Sequence, residues 1–311
     1  MSKKTLLAAC ALAAVTCYAS HSWAETKIAV GTPPIAEVEA AFIAKDQGMF
    51  ERNGLDVQFL PTGSNQTLIA SLVAGTHQIV SVSPTVLLQA VDSGIDLVAV
   101  SNCGVSSLRT AKNVGLAVHD GVSIPTPEDI KGKKIGTPSV GGTLDILFRQ
   151  WLKQKNIAEK SVTFIEVPIP NTADVLKGGT IDGIIAGEPF LGRSVALSKG
   201  SVAFYYMKDL PEGIPYSTFV TTREWAAKNP DALKAFRTAM DQAAAFSKQD
   251  TDKTREIVSK YTHLPMEVLS KIELPDCKTP VNKDALEYLD KAMREEGLLK
   301  NPIDIAGLIA Q

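Results

Sequence analysis

Short apolar runs alternate with amphipathic stretches through the first two thirds of the chain. The runs predict β-strands because they are brief, rich in Val and Ile, and bounded by turn-forming residues. The stretches between them place apolar residues every three or four positions and predict helices. The predicted strands are Lys27–Val30, Leu55–Leu60, Gln78–Val82, Leu97–Ser101, Gly115–Val118, Lys134–Gly136, Val162–Val167, Ile181–Ile185 and Thr218–Thr221. The predicted helices among them are Ala36–Gln47, Gln66–Ala74, Pro84–Asp92, Thr143–Lys155, Ala173–Leu176 and Phe190–Leu197.

The order of these elements predicts an α/β fold with two Rossmann-like lobes. Strands that alternate with helices favour mostly parallel sheets covered by helices on both faces. Two sets of similar size are separated by breaks at 102–113 and 211–215. The chain would leave the first lobe, build the second and return, so that two crossing strands form a hinge. The last third is predicted to be helical, with helices from Asn229-Pro230-Asp231 onward and near Thr254–Tyr261, Met266–Ile272 and Lys283–Glu296.

The first residues have the layout of a secretory signal peptide. Lys3 and Lys4 precede the apolar run Leu6–Val15, and Ser22-Trp23-Ala24 supplies small residues before a cleavage point. The run is too short for a membrane span of about 20 residues. We therefore predict a periplasmic protein cleaved near Ala24, an uncleaved anchor being the alternative. The predicted organisation is signal peptide 1–24, first lobe 25–103, second lobe 104–221, and a return to the first lobe with C-terminal helices in 222–311.

Composition narrows the function classes. The chain is 45% hydrophobic and 21% charged, as is ordinary for a globular protein. Its net charge of −2 becomes −4 without Lys3 and Lys4, which argues against a nucleic-acid partner. Cys103 and Cys277 remain after cleavage, and in an oxidising compartment they either pair or stay free. Neither cysteine has metal-ligand spacing to a histidine, so we predict no metal site. We also predict no cofactor and a monomeric state.

An ordered set of motifs runs through residues 27–250. AKDQGMFERNGLDV occupies Ala44–Val57 and EDIKGKKIG occupies Glu128–Gly136. Shorter motifs are Leu72–Ile79, Gly94–Val100, Gly179–Gly183 with Glu188-Pro189, and Asn229–Asp231. The set resembles the periplasmic solute-binding proteins of nitrate, sulfonate, taurine and thiamine-precursor importers. The resemblance implies a type 2 periplasmic binding protein fold, and a receptor that delivers a small solute to the permease and ATPase of an ABC importer.

The loops after the predicted strands are the candidate binding site, because open α/β sheets bind ligands beyond the carboxyl ends of their strands. Small hydroxyl residues and glycines recur there at helix starts, where free N–H groups favour anions. Ser, Thr and Asn also cap helices, so each loop has a structural interpretation as well. The ligand-binding residues predicted from these loops are Thr32, Pro33, Ser64, Asn65, Ser83, Thr85, Ser139, Gly141, Gly142, Thr143 and Asn171.

Four further residues complete the predicted site. Arg109 would pair with a carboxylate or sulfonate, although arginines more often lie on the surface or in the scaffold. Glu188 would accept from an amine or another donor of the ligand, and Phe190 and Tyr216 would line an apolar wall. The predicted ligand is a small organic anion, a sulfonate or a carboxylate, with or without an aromatic ring.

The sequence argues against catalysis. It contains no P-loop, no GxGxxG and no HExxH motif. Its histidines after the predicted cleavage site, His77, His119 and His263, do not pair with a recognisable nucleophile. The thiamine-pyrimidine synthases that share the implied fold carry a cysteine-rich motif that is missing here. Such an enzyme, and a sensor that presents its ligand to a membrane receptor, are the alternatives to an import receptor.

Overall fold

The computed structural model describes residues 25–60 and 64–311, so the predicted signal peptide lies outside the described residues. The strands are β1 Thr26–Gly31, β2 Leu55–Leu60, β3 Ile79–Val82, β4 Leu97–Asn102, β5 Gly104–Val105, β6 Val114–Val118, β7 Lys134–Thr137, β8 Thr163–Glu166, β9 Gly183–Gly187, β10 Ser201–Phe204, β11 Thr218–Thr222 and β12 Asp276–Cys277. The helices are α1 Glu39–Asp46, α2 Met49–Arg52, α3 Asn65–Val73, α4 Pro84–Asp92, α5 Thr143–Gln154, α6 Thr172–Lys177, α7 Phe190–Ser198, α8 Arg223–Lys228, α9 Pro230–Gln249, α10 Thr251–Thr262, α11 Met266–Leu269 and α12 Lys283–Glu295.

These elements build two five-stranded sheets, with strand orders β2-β1-β3-β11-β4 and β10-β6-β9-β7-β8. We call each sheet, with the helices packed on it, a lobe. The predicted two-lobed α/β fold is confirmed, and each predicted strand is present within a few residues of its expected bounds. The sequence analysis missed β10, because this four-residue strand is only partly buried and lacks a clear apolar run.

Each sheet contains one strand that runs against its neighbours on both sides. In the first sheet β11 is antiparallel to β3 and β4, and in the second β6 is antiparallel to β9 and β10. Both are the first strands after the chain crosses between the lobes. The crossings leave from carboxyl ends, at β4 and β10. The strand that follows each crossing, β6 or β11, therefore starts at the edge of its sheet where the parallel strands end. It must run antiparallel to them.

The two crossing segments lie side by side and form the predicted hinge. The Ser106 N–H donates to the Ile214 carbonyl at 2.8 Å, and the Tyr216 N–H donates to the Gly104 carbonyl at 2.9 Å. A third segment joins them, because β12 pairs with β5. The two cysteines, whose state the sequence left open, form a disulfide between Cys103 in the first crossing and Cys277 in β12.

Sheet membership also bears on the predicted boundaries. β11 lies in the first sheet although the predicted second lobe extends to Thr221, so we propose that the chain returns to the first lobe before Thr218. The sequence placed that boundary late because Thr218–Thr221 reads like any other strand. The boundary between 103 and 104 falls in the first crossing and stays a prediction.

The C-terminal part of the chain spans both lobes. α12 packs its apolar face, including Leu286, Leu289 and Met293, into a core shared with α4 and α5. Past α12, the Asn301 N–H bonds to Asp92 at the end of α4, and the Ala310 N–H bonds to the Ala99 carbonyl. None of the described helices combines the length and the apolar character that a membrane crossing requires.

Candidate functional site

The carboxyl ends of the parallel strands in each lobe face the other lobe. In the first sheet the pair Thr218↔Asn102 places the end of β4 beside the start of β11. In the second sheet the pair Val114↔Gly187 places the end of β9 beside the start of β6. The chain crosses between the lobes at these same edges. The loops that follow the strands therefore meet in a cleft, where open α/β folds bind ligands.

Three predicted hydroxyl residues come together in this cleft. The Thr143 hydroxyl, at the first position of α5, donates to Ser83 Oγ at 3.3 Å. Ser83 Oγ lies 2.7 Å from Oγ1 of Thr85, the second residue of α4. Since Ser83 belongs to the first lobe and Thr143 to the second, the N-terminal ends of α4 and α5 meet across the cleft.

The two helix starts differ in charge. α4 has Pro84 at its first position and no acid in its first turn, and Ser83 makes no capping bond to a described backbone group. The positive end of α4 is therefore available to an anion. α5 carries Asp145 in its first turn, and Asp145 Oδ2 accepts from the Gly141 N–H at 2.8 Å. A carboxylate of the protein itself thus occupies the N-terminal end of α5.

The loop between β7 and α5 fits closely against the first lobe. Gly141 has a φ of 75°, and a side chain there would meet Leu298 at 3.3 Å and Gln89 at 3.4 Å. Ser139 is exposed, and its carbonyl accepts from the Gly142 N–H at 3.0 Å. The glycines thus allow the loop its turn and its close approach, while ligand contacts by Ser139, Gly141 and Gly142 stay predictions.

The remaining loop residues have weaker claims as ligand contacts. Ser64 Oγ accepts from the Thr67 N–H at 3.2 Å and caps α3, which favours the structural interpretation of this serine and of neighbouring Asn65. Thr32 is buried and Pro33 half-buried after β1. Asn171 is exposed before α6, and its side chain makes no capping bond within the described residues.

Glu188 folds back onto the helix that follows it. Its Oε2 accepts from the Gly192 N–H at 3.1 Å in the first turn of α7. Burial raises the pKa of the Glu188 carboxyl, and that N–H opposes the shift. Phe190 packs against the core behind α7. Glu188 lies at the cleft edge after β9, so its half-buried carboxyl can both cap α7 and face a solute.

The Arg109 side chain binds groups near β12 at the hinge. Its guanidinium donates to Glu273 at 3.1 Å and to the Leu274 carbonyl at 3.0 Å, and it lies 4.0 Å from Asp276. These partners belong to β12 and the segment just before it, and not to the facing loops. The structure therefore favours the alternative that an arginine at this position supports the hinge, and its predicted contact with an anion finds no support in the geometry.

Two cavities, of about 900 and about 370 Å³, border β12 and the hinge. Neither is lined by the loops after β1, β3, β7 or β9. Across the cleft, the Thr143 and Ser83 hydroxyls touch directly. Within residues 25–60 and 64–311, no group of three or more His, Cys, Asp or Glu side chains is placed to hold a metal ion.

The sequence analysis missed Glu37 and the polar role open to Tyr216. Glu37 lies in the 3-10 helix Ala36–Val38, between the loop after β1 and α1, in a stretch that the sequence assigned to one continuous helix. Tyr216 was expected to line an apolar wall, yet its hydroxyl is buried without a hydrogen-bond partner among the described residues. The sequence signal that could have identified Glu37 as a candidate site residue is its position shortly after the first strand.

Comparison with known proteins places the fold and the family. The nitrate/nitrite binding protein NrtA of Nostoc is 26% identical over 238 residues, which are 70% of this chain and 53% of that protein. The nitrate import ATP-binding protein NrtC of Synechocystis is 24% identical over 253 residues, 77% of this chain and 37% of that protein. The chain therefore spans about half the length of the first of these relatives and just over a third of the second.

A solved structure agrees over nearly the whole molecule. The periplasmic aliphatic sulphonate binding protein SsuA of Escherichia coli superposes with a TM-score of 0.76 at 17% identity, covering 92% of this chain and 98% of that one. This similarity shows a common fold. The model of the NMT1-like family matches residues 22–261, more than three quarters of the sequence. The chain belongs to the NMT1-like family.

Proposed function

We propose that this protein is an extracytoplasmic solute-binding receptor of an ABC importer. The observation that carries the proposal is the contact between Ser83 and Thr143, which joins two helix starts from different lobes at the edge where both sheets end. A solute bound there touches both lobes. It therefore binds the closed arrangement better than an open one and shifts the population towards it.

The hinge supports this two-state mechanism. Two adjacent crossing segments join the lobes, and short segments of this kind absorb the backbone rotation in domain closure. The relatives support the transport context, because one carries the name of a nitrate-binding protein and another that of a nitrate import ATP-binding protein. Delivery of the solute to a permease and an ATPase, a periplasmic location and a monomeric state belong to the same proposal.

The ligand is proposed to carry one anionic group, a sulfonate or a carboxylate, at the N-terminus of α4. Of the two facing helix starts, α4 has no acid in its first turn, whereas Asp145 lies in the first turn of α5. The hydroxyls of Ser83, Thr85 and Thr143 surround this point and can donate to the anion's oxygens.

The test is a thermal-shift screen on purified protein that has been unfolded and refolded to strip bound solute. The screen covers sulfonates, aliphatic and aromatic carboxylates, nitrate and pyrimidines. A ligand at a hundredfold excess over its dissociation constant stabilises the folded state by about 2.7 kcal/mol, which shifts the melting temperature by a few degrees. A flat screen on folded protein would contradict the proposal.

Variants then locate the site. Ser83→Ala and Thr143→Val should each weaken binding of the ligand found by about tenfold or more, since each removes a donor to a charged group. Ser259→Ala is the matched control, because its hydroxyl bonds to the Leu264 carbonyl beyond α10, away from both facing loops. Unchanged affinity in both cleft variants would place the site elsewhere.

A further inference from the structure

The Tyr216 hydroxyl is a buried polar group without a partner in the described part of the chain. A buried hydroxyl that makes no hydrogen bond destabilises a fold relative to a satisfied one. Phenylalanine would fill the same space without that cost. The Tyr216 hydroxyl does not stabilise this conformation, so a function other than folding is needed to explain it.

Tyr216 lies where the two lobes approach at the hinge. Its N–H donates to the Gly104 carbonyl at 2.9 Å in the first crossing segment. On the side of the second lobe, Tyr206 donates from its hydroxyl to the Leu144 carbonyl at the start of α5. Burial raises the pKa of Tyr206, and the neighbouring Tyr216 adds to the shift.

Glu37 approaches the same point from the first lobe. Gly104 packs so tightly on it that a side chain at Gly104 would lie 3.0 Å from the Glu37 Cα and 3.1 Å from its carbonyl oxygen. Glu37 and Tyr216 therefore flank a single glycine of the crossing segment. Burial raises the pKa of the Tyr216 phenol, and the Glu37 carboxylate raises it further, consistent with this closeness.

Resting on the proposed receptor function, we infer that Glu37 and Tyr216 together bind an N–H donor group of the solute at the hinge end of the cleft. A carboxyl beside a hydroxyl can accept hydrogen bonds from a protonated amine or another N–H group, whereas an anion offers it no donor. The solute's anionic group then lies at the other end, at the start of α4. Glu37 and Tyr216 are thereby specificity-determining residues, which select a solute with a donor opposite its acid.

The surrounding charges agree with this polarity. The described loops after β1, β3, β7, β8 and β9 contain no lysine or arginine, whereas Glu188 lies in the loop after β9 and Glu37 in the 3-10 helix that follows the loop after β1. Arg109 is held by Glu273 and the Leu274 carbonyl, as described above. A solute with an exposed negative charge at the hinge end would meet carboxyl groups without a compensating cation from these loops.

Isothermal titration with pairs of compounds that differ only in the donor tests the inference. The pairs are 4-aminobutanoate with butanoate, 4-(aminomethyl)benzoate with 4-methylbenzoate, and 4-aminobenzenesulfonate with benzenesulfonate. In at least one pair, the amino compound should bind about tenfold or more tightly than its twin. If the anions without a nitrogen bind as well as their twins, the receptor function stands and this inference fails. If no member of any pair binds, the result counts against the receptor proposal and removes the inference with it.

Variants separate a binding role from a structural one. Glu37→Gln and Tyr216→Phe should each remove most of the preference for the amino compound, and Glu37→Asp should retain part of it. Tyr216→Phe should leave the melting temperature of the free protein unchanged or higher, since it deletes an unsatisfied group. Tyr288→Phe is the matched control, because the Tyr288 hydroxyl on α12 is also buried without a described partner. A preference that survives in both Glu37→Gln and Tyr216→Phe would overturn the inference.

Discussion

Each lobe buries one carboxyl group in the first turn of a helix, and the two groups are held in different ways. Glu39 begins α1 in the first lobe, where the Ser247 hydroxyl donates to its Oε1 and its Oε2 has no described partner. Asp145 lies in the first turn of α5 in the second lobe, where its Oδ2 accepts from the Gly141 N–H at 2.8 Å and from Arg149 Nε at 3.0 Å, while its Oδ1 also has no described partner. Both side chains are almost fully buried.

The difference teaches how a buried acid is tolerated. Burial raises the pKa of Glu39 to about 8, and the Ser247 hydroxyl and the charges of Arg109 and Arg255 only partly oppose the shift. Glu39 is therefore largely protonated at neutral pH. Burial also raises the pKa of Asp145, but a backbone N–H and a buried guanidinium oppose it directly. A carboxyl with a cationic partner can stay charged inside a protein, and one with only a hydroxyl partner becomes neutral.

The largest effect is expected from breaking the ionic pair of the second lobe. Arg149→Met should destabilise the protein by about 3–5 kcal/mol, because it leaves Asp145 buried without its cation. Arg149 also pairs with Glu159, and its guanidinium lies 4.0 Å from the centre of the Phe164 ring, so packing is lost as well. Urea unfolding measures the change. Arg193→Met, at an exposed arginine on α7, is the control and should stay within about 0.5 kcal/mol of the parent. A similar loss in both variants would remove the distinction between the lobes.

The Glu39 carboxyl of the first lobe, which is largely neutral at pH 7, should make the free energy of unfolding depend on pH. The pKa of Glu39 is higher in the folded state, about 8, than the ordinary 4.5, so the folded state binds the proton more tightly. Its contribution to stability is complete below pH 4.5 and falls as the pH rises towards 8. Between these limits the free energy of unfolding should fall by up to about 1.4 kcal/mol per pH unit from this group alone.

Glu39→Gln should remove this slope, since an amide does not titrate. The measurement is urea unfolding of parent and variant from pH 5 to pH 9, and the difference between the two curves isolates Glu39 from the other titrating groups. The variant should gain on the parent as the pH rises. Parallel curves would mean that Glu39 titrates in the folded protein as it does in the unfolded chain.

The sequence could predict the fold, but it could not predict how differently the Glu39 and Asp145 carboxyls are held. Alternation of strands with helices gave the two lobes, and the breaks at 102–113 and 211–215 gave the hinge, because both are local patterns. Glu39 and Asp145 look alike in sequence, as acids near helix starts. Their partners lie far away in the chain for Glu39, at Ser247, and one helical turn away for Asp145, at Arg149. The pairing of Glu39 with Ser247 arises only from the packing of α9 on α1.

The candidate site also contains residues that local sequence patterns predict and residues whose positions depend on distant segments. The hydroxyls of Ser83, Thr85 and Thr143 were predictable because helix starts after strands are visible in the sequence. For Arg109 the sequence left two roles open, because its pairing with Glu273 depends on a segment more than 160 residues away. The closeness of Glu37 to Tyr216 depends on the register of two crossing segments, which no local pattern fixes.

A smaller effect should follow from replacing the second acid by its amide. Asp145→Asn keeps an oxygen acceptor for the Gly141 N–H but removes the charge that Arg149 faces, and should cost about 1–3 kcal/mol at pH 7. Glu39→Gln at the same pH should be neutral or stabilising, since it replaces a largely neutral group. Urea unfolding of the two variants side by side measures the contrast. Equal losses would show that the two carboxyls have the same charge state.

The smallest expected effect concerns the one hydroxyl that holds Glu39. Ser247→Ala should cost about 0.5–1.5 kcal/mol, the usual net contribution of a hydrogen bond. It should also extend the fall in stability to higher pH, because the Ser247 bond lowers the pKa of Glu39 and its loss raises that pKa further. Ser194→Ala is the matched control, since Ser194 is fully buried and its hydroxyl has no described partner, so its removal should be neutral or stabilising. If the two serine variants behaved alike at every pH, Ser247 would not be a partner of the acid.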